Sequence, residues 1–223
     1  GRIKLSENDL AWDEKAKNAK APAKMNKKLN VLLVNLPWQK EGRWGVRAGS
    51  RWPYIKAESE GDYLPFPFFL AYATSLLHTH EIKATIIDAI AEGMSEEAFL
   101  GKISGMNFDY LVVETSIPSY YHDLDLLKKI SRKGISIILC GPNSEIYQAG
   151  FLKDHPCIDF VLCGEYEFTL LELLQSLQDN SSLRNVAGLL YRDEGEIRKN
   201  LPRAPFDINL LPWPHRDSLP MQK

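Results

Sequence analysis

Apolar and polar positions follow two rhythms along this chain. Short, unbroken apolar runs are NVLLVNLP (30–37), ATIIDAI (84–90), DYLVVETS (109–116), ISIILCGP (135–142) and DFVLCGE (159–165). Their length and β-branched content predict buried strands. Between them lie stretches with helical spacing. PFPFFLAYATSLLHTH (65–80) puts Leu70, Ala73, Leu76 and Leu77 on one face, with prolines at the start. SEEAFLGKIS (95–104) carries Ser95 as an N-cap, and HDLDLLKKISRKG (122–134) ends in basic residues and glycine. EFTLLELLQSLQ (167–178) is a leucine-rich helix.

Strands alternating with helices at this spacing predict an α/β fold with a parallel sheet covered on both faces. Five such strands favour a flavodoxin/Rossmann-like, doubly wound, five-stranded sheet in the order 2-1-3-4-5. NVAGLLYRDEGEIRKN (185–200) reads as a β-hairpin, and prolines at 202, 205, 212, 214 and 220 predict an extended linker that packs little by itself. Residues 1–28 show no sustained apolar face and read as a flexible arm. The expected organisation is therefore 1–28 arm, 29–180 Rossmann-like domain, and 181–223 hairpin and proline-rich linker.

Composition narrows the picture. With 223 residues, 44% of them hydrophobic, the chain can build one good core. A net charge of -2 and pI near 6.3 argue against nucleic acid as a partner. No run of 18 apolar residues occurs, so no membrane helix is expected, and the first residues lack the apolar core of a secretory signal. Three cysteines without paired spacing fit a reducing, cytoplasmic setting.

In a sheet of this kind function sits at the carboxyl ends of the strands. The first such loop, NLPWQKEGRWGVRAG, has the wrong glycine spacing for a dinucleotide fingerprint, and no Gly-x-x-x-x-Gly-Lys-Ser/Thr loop exists. There is no Gly-x-Ser-x-Gly elbow, no flavin-phosphate loop and no acidic cluster of a phospho-receiver. His78 and His80 lack a third ligand nearby, and Cys140, Cys157 and Cys163 read as small hydrophobes. What the strand ends share is smallness: Ser116, Pro118 and Ser119, then Gly141 and Pro142, then Gly164 before Glu165. Such residues either leave a slot for a long cofactor tail or form ordinary strand-to-helix turns.

The series VLLVNLPW, GRWGVRAGSRWP, YLPFPFFLAYATSLL, IIDAIAEGMSEE, DYLVVETSIPSYYHDL, CGPN, FVLCGEYEFTLLELL and GLLYRDEGEIRKN resembles the N-terminal cobalamin (B12)-binding domain of cobalamin-dependent radical S-adenosylmethionine (SAM) enzymes, over about residues 29–220. The resemblance implies that cobalamin's dimethylbenzimidazole tail enters a slot lined by Ser116, Ser119, Gly141 and Gly164, with Pro118, Pro142, Asn143 and Glu165 in contact. It also implies a corrin ring over Pro37 and the Trp44–Trp52 insert. Related domains carry Asp-x-His-x-x-Gly after the first strand. Here the loop after Asn35 holds no histidine, so cobalt is expected to lack a lower imidazole; His122 is the nearest substitute. No Cys-x-x-x-Cys-x-x-Cys is present, so the 4Fe-4S cluster and SAM belong to a radical SAM domain expected downstream, and the chain reads as a fragment. The expected role is positioning cobalamin for methyl transfer or radical rearrangement, with no catalytic or metal-ligating residue in this chain. The alternative is a degenerate docking module, whose slot would be filled by side chains such as Tyr120 or Tyr121.

Overall fold

A computed structural model describes residues 28–40, 43–45, 54–56, 65–130 and 134–221. Residues 1–27 of the expected N-terminal arm and residues 46–53, which include most of the expected Trp44–Trp52 insert, lie outside the described residues. Strand β1 (Asn30–Asn35) is followed by β2 (Gln39–Lys40), β3 (Arg43–Gly45) and β4 (Tyr54–Lys56). The region expected to be a loop thus contains a separate three-stranded antiparallel sheet in the order β2-β3-β4. Then come α1 (Phe68–Thr79), β5 (Lys83–Asp88), α2 (Glu96–Ser104), β6 (Tyr110–Glu114), α3 (Tyr120–Ile130) and β7 (Ser136–Cys140). The chain continues with α4 (Ala149–Asp154), β8 (Phe160–Leu162), α5 (Glu167–Gln178), β9 (Leu189–Asp193) and β10 (Glu196–Lys199).

The main sheet has seven strands in the order β10-β9-β8-β7-β6-β1-β5. Its five parallel strands, β5-β1-β6-β7-β8, realise the doubly wound order expected from the sequence. The hairpin does not stand apart, however. β9 pairs antiparallel with β8 (Phe160↔Tyr191, Val161↔Leu190, Leu162↔Leu189), so the sheet grows beyond five strands. Unpaired backbone at a sheet edge favours such addition. The hairpin turn places Glu194 at φ 51 and Gly195 at φ 87, the left-handed pair that matches strand twist.

Side-chain alternation sorts the core into two layers. Val31 and Leu33 of β1 face one layer with Leu70 and Leu77 of α1 and Leu170 and Leu174 of α5. Leu32 and Val34 face the other, against Phe99 of α2, Leu127 of α3 and Leu152 of α4. Helix α2 starts as expected, Ser95 accepting from the Ala98 N–H at 3.1 Å. Helix α1 starts later than its prolines suggested, at Phe68 after Pro67.

The proline-rich segment packs more than its composition predicts. Leu219 is buried in the α1/α5 layer, the His215 N–H donates to the Ala71 carbonyl at 3.0 Å, and Phe206 meets Phe168 edge-on. Arg203 donates to Thr169 Oγ1 at 2.8 Å and also to Glu172. Proline limits what a segment can do with its own backbone, but leaves its other residues able to anchor it.

Candidate functional site

The carboxyl ends of β6, β7 and β8 frame a cavity of about 290 Å³. Its lining is Phe69 of α1, Glu114, Gly141, Pro142, Tyr147, Gly164, Glu165 and Tyr166. Four residues expected from the sequence, Gly141, Pro142, Gly164 and Glu165, therefore meet in one place. The two glycines do different work. Gly141 has φ +117, and a Cβ there would sit 2.1 Å from the Thr115 carbonyl oxygen, so β7 must turn over the end of β6. Gly164 has φ +77, and a Cβ there would meet no atom within 4 Å. The first glycine serves backbone packing; the second leaves open space.

Ser116 and Ser119 lie elsewhere. Val112 and Glu114 of β6 point to the α1/α5 side, and the next residue, Thr115, turns toward α3. There Thr115 Oγ1 donates to Asp123 Oδ2 at 2.8 Å and Ser119 Oγ donates to the same oxygen at 2.6 Å. With its hydrogen committed to Asp123, Ser119 Oγ accepts from Ser116 Oγ at 2.9 Å. All four groups are buried, and neither serine lines the cavity. Pro118 sits exposed on the turn between them, beside exposed Ile117 and Tyr121. Asn143 is buried next to the cavity wall at Pro142.

Pro37 is buried at the end of β1, and its carbonyl accepts from His122 Nε2 at 2.8 Å. His122 Nδ1 lies 3.6 Å from Glu96 Oε1. The imidazole considered as a substitute ligand thus ties β1 to α3 and α2. Tyr120 packs near Phe151 on the opposite layer and Tyr121 faces solvent, so neither tyrosine plugs the cavity. A second cavity, about 390 Å³, shares Tyr147, Gly164 and Glu165 with the first and extends to Lys199, Arg203 and Pro205.

Sequence reading passed over Glu114, Tyr166, Tyr147 and Asp123. Tyr166 Oη donates to Glu114 Oε2 at 2.9 Å. Burial, then the Glu114 charge, push the Tyr166 phenol well above its usual range, so it stays a donor. Burial does the same to the Cys140 thiol and lifts Cys163 to about 11, which keeps both thiols protonated at neutral pH. Among the described residues no group of three His, Cys, Asp or Glu side chains is placed to hold a metal ion, and no helix is long and apolar enough to cross a membrane. The one available signal for Glu114 was an acid closing an otherwise apolar strand. For Asp123 it was a spacing of four from Ser119 at a helix start.

Glu167 opens α5 and is buried, and its Oε2 meets no hydrogen-bond donor among the described residues. Burial, with Glu165 adding to it, raises its carboxyl above the ordinary 4.5. The native state therefore favours the protonated form. That contribution is complete below the unfolded value and is lost as pH rises through the folded one. Glu167→Gln should be more stable than the parent at pH 8 by about 1 kcal/mol, with the advantage vanishing toward pH 4. Urea melts of both proteins at the two pH values check this, and a constant difference refutes it.

No family model matches the sequence. An uncharacterized methyltransferase of Pyrococcus horikoshii is 30% identical over 162 residues, which is 70% of this chain and 35% of that protein. The chain thus spans about a third of the length of the curated relative it matches. Among solved structures, the radical SAM methyltransferase TsrM from Kitasatospora setae, with cobalamin and a 4Fe-4S cluster bound, superposes with TM-score 0.57 at 13% identity, covering 84% of this chain and 31% of that one. The cobalamin-dependent SAM radical enzyme OxsB, with aqua-cobalamin and SAM bound, gives TM-score 0.57 at 19% identity, covering 80% of this chain and 23% of that one. At these identities the likeness is one of fold: the chain has the Rossmann-like α/β architecture that forms a part of both enzymes.

Proposed function

We propose that this chain is the cobalamin-binding portion of a radical SAM enzyme, cytoplasmic and continuous with a downstream domain that holds a 4Fe-4S cluster and SAM. The observation that carries the reading is the open cavity beside Gly164, walled by residues that the resemblance assigns to the cofactor's tail. At about 290 Å³ it sits near the lower end of small-molecule pockets, large enough for one fused aromatic ring system. Phe69, Tyr147 and Tyr166 give it flat aromatic sides, and Gly141 and Pro142 give it a rigid wall. The residues present fit the group.

When bound, cobalamin would supply a methyl group or take part in radical chemistry. The chain's own contribution is binding and orientation. The cavity would hold the tail, with Phe69 at its wall, and the exposed apolar residues Phe68, Ile117, Pro118 and Tyr121 would be the surface offered to the corrin. His122 Nε2 is engaged with the Pro37 carbonyl, so that nitrogen would not be the group that holds the cofactor. Glu165, exposed and lining the cavity, would meet the polar parts of the tail.

Hydroxocobalamin mixed with the protein should co-elute in gel filtration with its corrin absorption. Gly164→Leu should abolish this retention while lowering stability by only the ~1–2 kcal/mol of a left-handed residue. If the colour washes off the parent protein, or Gly164→Leu retains it fully, the reading fails.

A further inference from the structure

We propose that a small cavity between the start of α1, the start of α5 and the proline-rich segment is a binding site for a primary alkylammonium group, with Glu167 as its anion. The site goes beyond the cobalamin reading and does not depend on it. The cavity has a volume of about 80 Å³, and its walls include Phe69 and Tyr72 of α1, Glu165 and Glu167, and Phe206 of the proline-rich segment. Phe69 and Glu165 also line the larger cavity beside Gly164, so the two lie side by side. Size decides the class of occupant. Pockets for whole small molecules start near ~300 Å³, so this one takes the end group of a longer molecule and not a ring system.

Glu167 supplies the chemical signal. It is 3% exposed, yet its Oε2 meets no hydrogen-bond donor among the described residues. Its place in the first turn of α5, with the Tyr166 and Glu167 N–H groups bonding the carboxyl, favours negative charge there. Burial and the neighbouring Glu165 act against that charge. A water in the cavity would satisfy the orphaned oxygen but would not offset two adjacent carboxyl charges. A cation does both. Aromatic rings complete the setting, because their faces attract cations. Phe206 is already fixed by its edge-on contact with Phe168, ring centroids 4.7 Å apart. The geometry also selects among organic cations. A guanidinium binds best through two parallel bonds to both carboxylate oxygens, whereas here one oxygen is orphaned. An ammonium is a compact charge that one oxygen suffices to hold.

The ammonium can belong to a free amine or to a lysine side chain of polypeptide packed over the cavity, and the test separates the two. n-Butylammonium is titrated into this chain at pH 8 and followed by NMR, with n-butanol as the uncharged probe. Signals of Phe69, Tyr72 and Phe206 should move with the amine, and n-butanol should bind about tenfold or more weakly. Glu167→Gln should weaken the amine by about tenfold or more and leave n-butanol unchanged. Phe206→Leu should weaken the amine by only roughly threefold, and urea melts confirm that both variants fold. In a longer polypeptide carrying this chain, a lysine source excludes n-butylammonium and turns the Glu167→Gln gain in stability at pH 8 into a loss. A free-amine source leaves the titration as it is in this chain. Equal binding of amine and alcohol, or amine binding that Glu167→Gln does not alter, would overturn the proposal and leave Glu167 a hydrated structural acid. Neither result touches the retention of hydroxocobalamin in gel filtration, so this inference and the functional reading fail separately.

Discussion

Replacing Gly141 with alanine should cost about 3–5 kcal/mol, a large share of the ~5–15 kcal/mol that holds a typical domain folded. Two causes add. The left-handed backbone, φ +117, penalises any side chain by ~1–2 kcal/mol. A methyl at 2.1 Å from the Thr115 carbonyl oxygen then demands movement of backbone against backbone, and overpacking of that kind costs ~1–3 kcal/mol or more. No flexible side chain is available to yield. Thr115 is itself pinned, since its N–H donates to the Cys140 carbonyl at 2.8 Å and its hydroxyl to Asp123. Gly164→Ala is the control, sharing the positive φ but meeting no atom within 4 Å, so only the conformational part should appear. Urea melts of the two variants measure the difference directly. If Gly141→Ala melts within about 0.5 kcal/mol of Gly164→Ala, the tight crossing of β7 over β6 is not what demands glycine there. Ligand loss in Gly141→Ala would say little about contact with a cofactor, because the wall itself would have moved.

That pair of glycines marks the line between what sequence can and cannot convey. Both stand in Cys-Gly at the end of an apolar run, and both read as bare backbone beside a slot. Periodicity settled the five parallel strands and the order in which they lie, because apolar runs and right-handed crossovers are local or topological facts. It could not say that Gly141 is bare for Thr115 and Gly164 for empty space, since that depends on how closely two distant strands approach. The serines misled for a related reason. Ser116 and Ser119 sit where a hydroxyl-lined slot was expected, yet Asp123, one helical turn on, draws both into a closed network. The edge pairing of the hairpin and the anchoring of the proline-rich segment were equally hidden, both being contacts between parts far apart in sequence. Glu114 was overlooked because an acid after four apolar residues reads as the strand's solvent-facing end. Only the fold turns that end inward.

Asp123→Ala should be the other severely destabilised variant, by about 3–5 kcal/mol, although Asp123 does not line the cavity. Asp123 is fully buried, and one of its oxygens accepts from both Thr115 and Ser119. Truncation strands a chain of hydroxyls, Ser116 included, in positions water does not reach, and each stranded group costs ~1–3 kcal/mol. It also leaves a void against α3. Asp123→Asn keeps the shape and can keep an oxygen toward the two hydroxyls, so its loss should be nearer ~1–2 kcal/mol, mainly the charge-assisted part. The consequence for function follows from position. The turn Ile117–Ser119 is fastened from below by this carboxylate and holds exposed Ile117 and Pro118, which the proposed function assigns to the corrin. Released from it, the turn should become the first point of proteolysis in Asp123→Ala. Corrinoid affinity should fall for cobalamin and for cobinamide, its analogue without the nucleotide tail, alike. Denaturation, limited proteolysis and the two corrinoid titrations together decide the matter. If alanine and asparagine at 123 behave alike, or if the turn resists cleavage in both, the buried carboxylate is not the hub that holds β6 to α3.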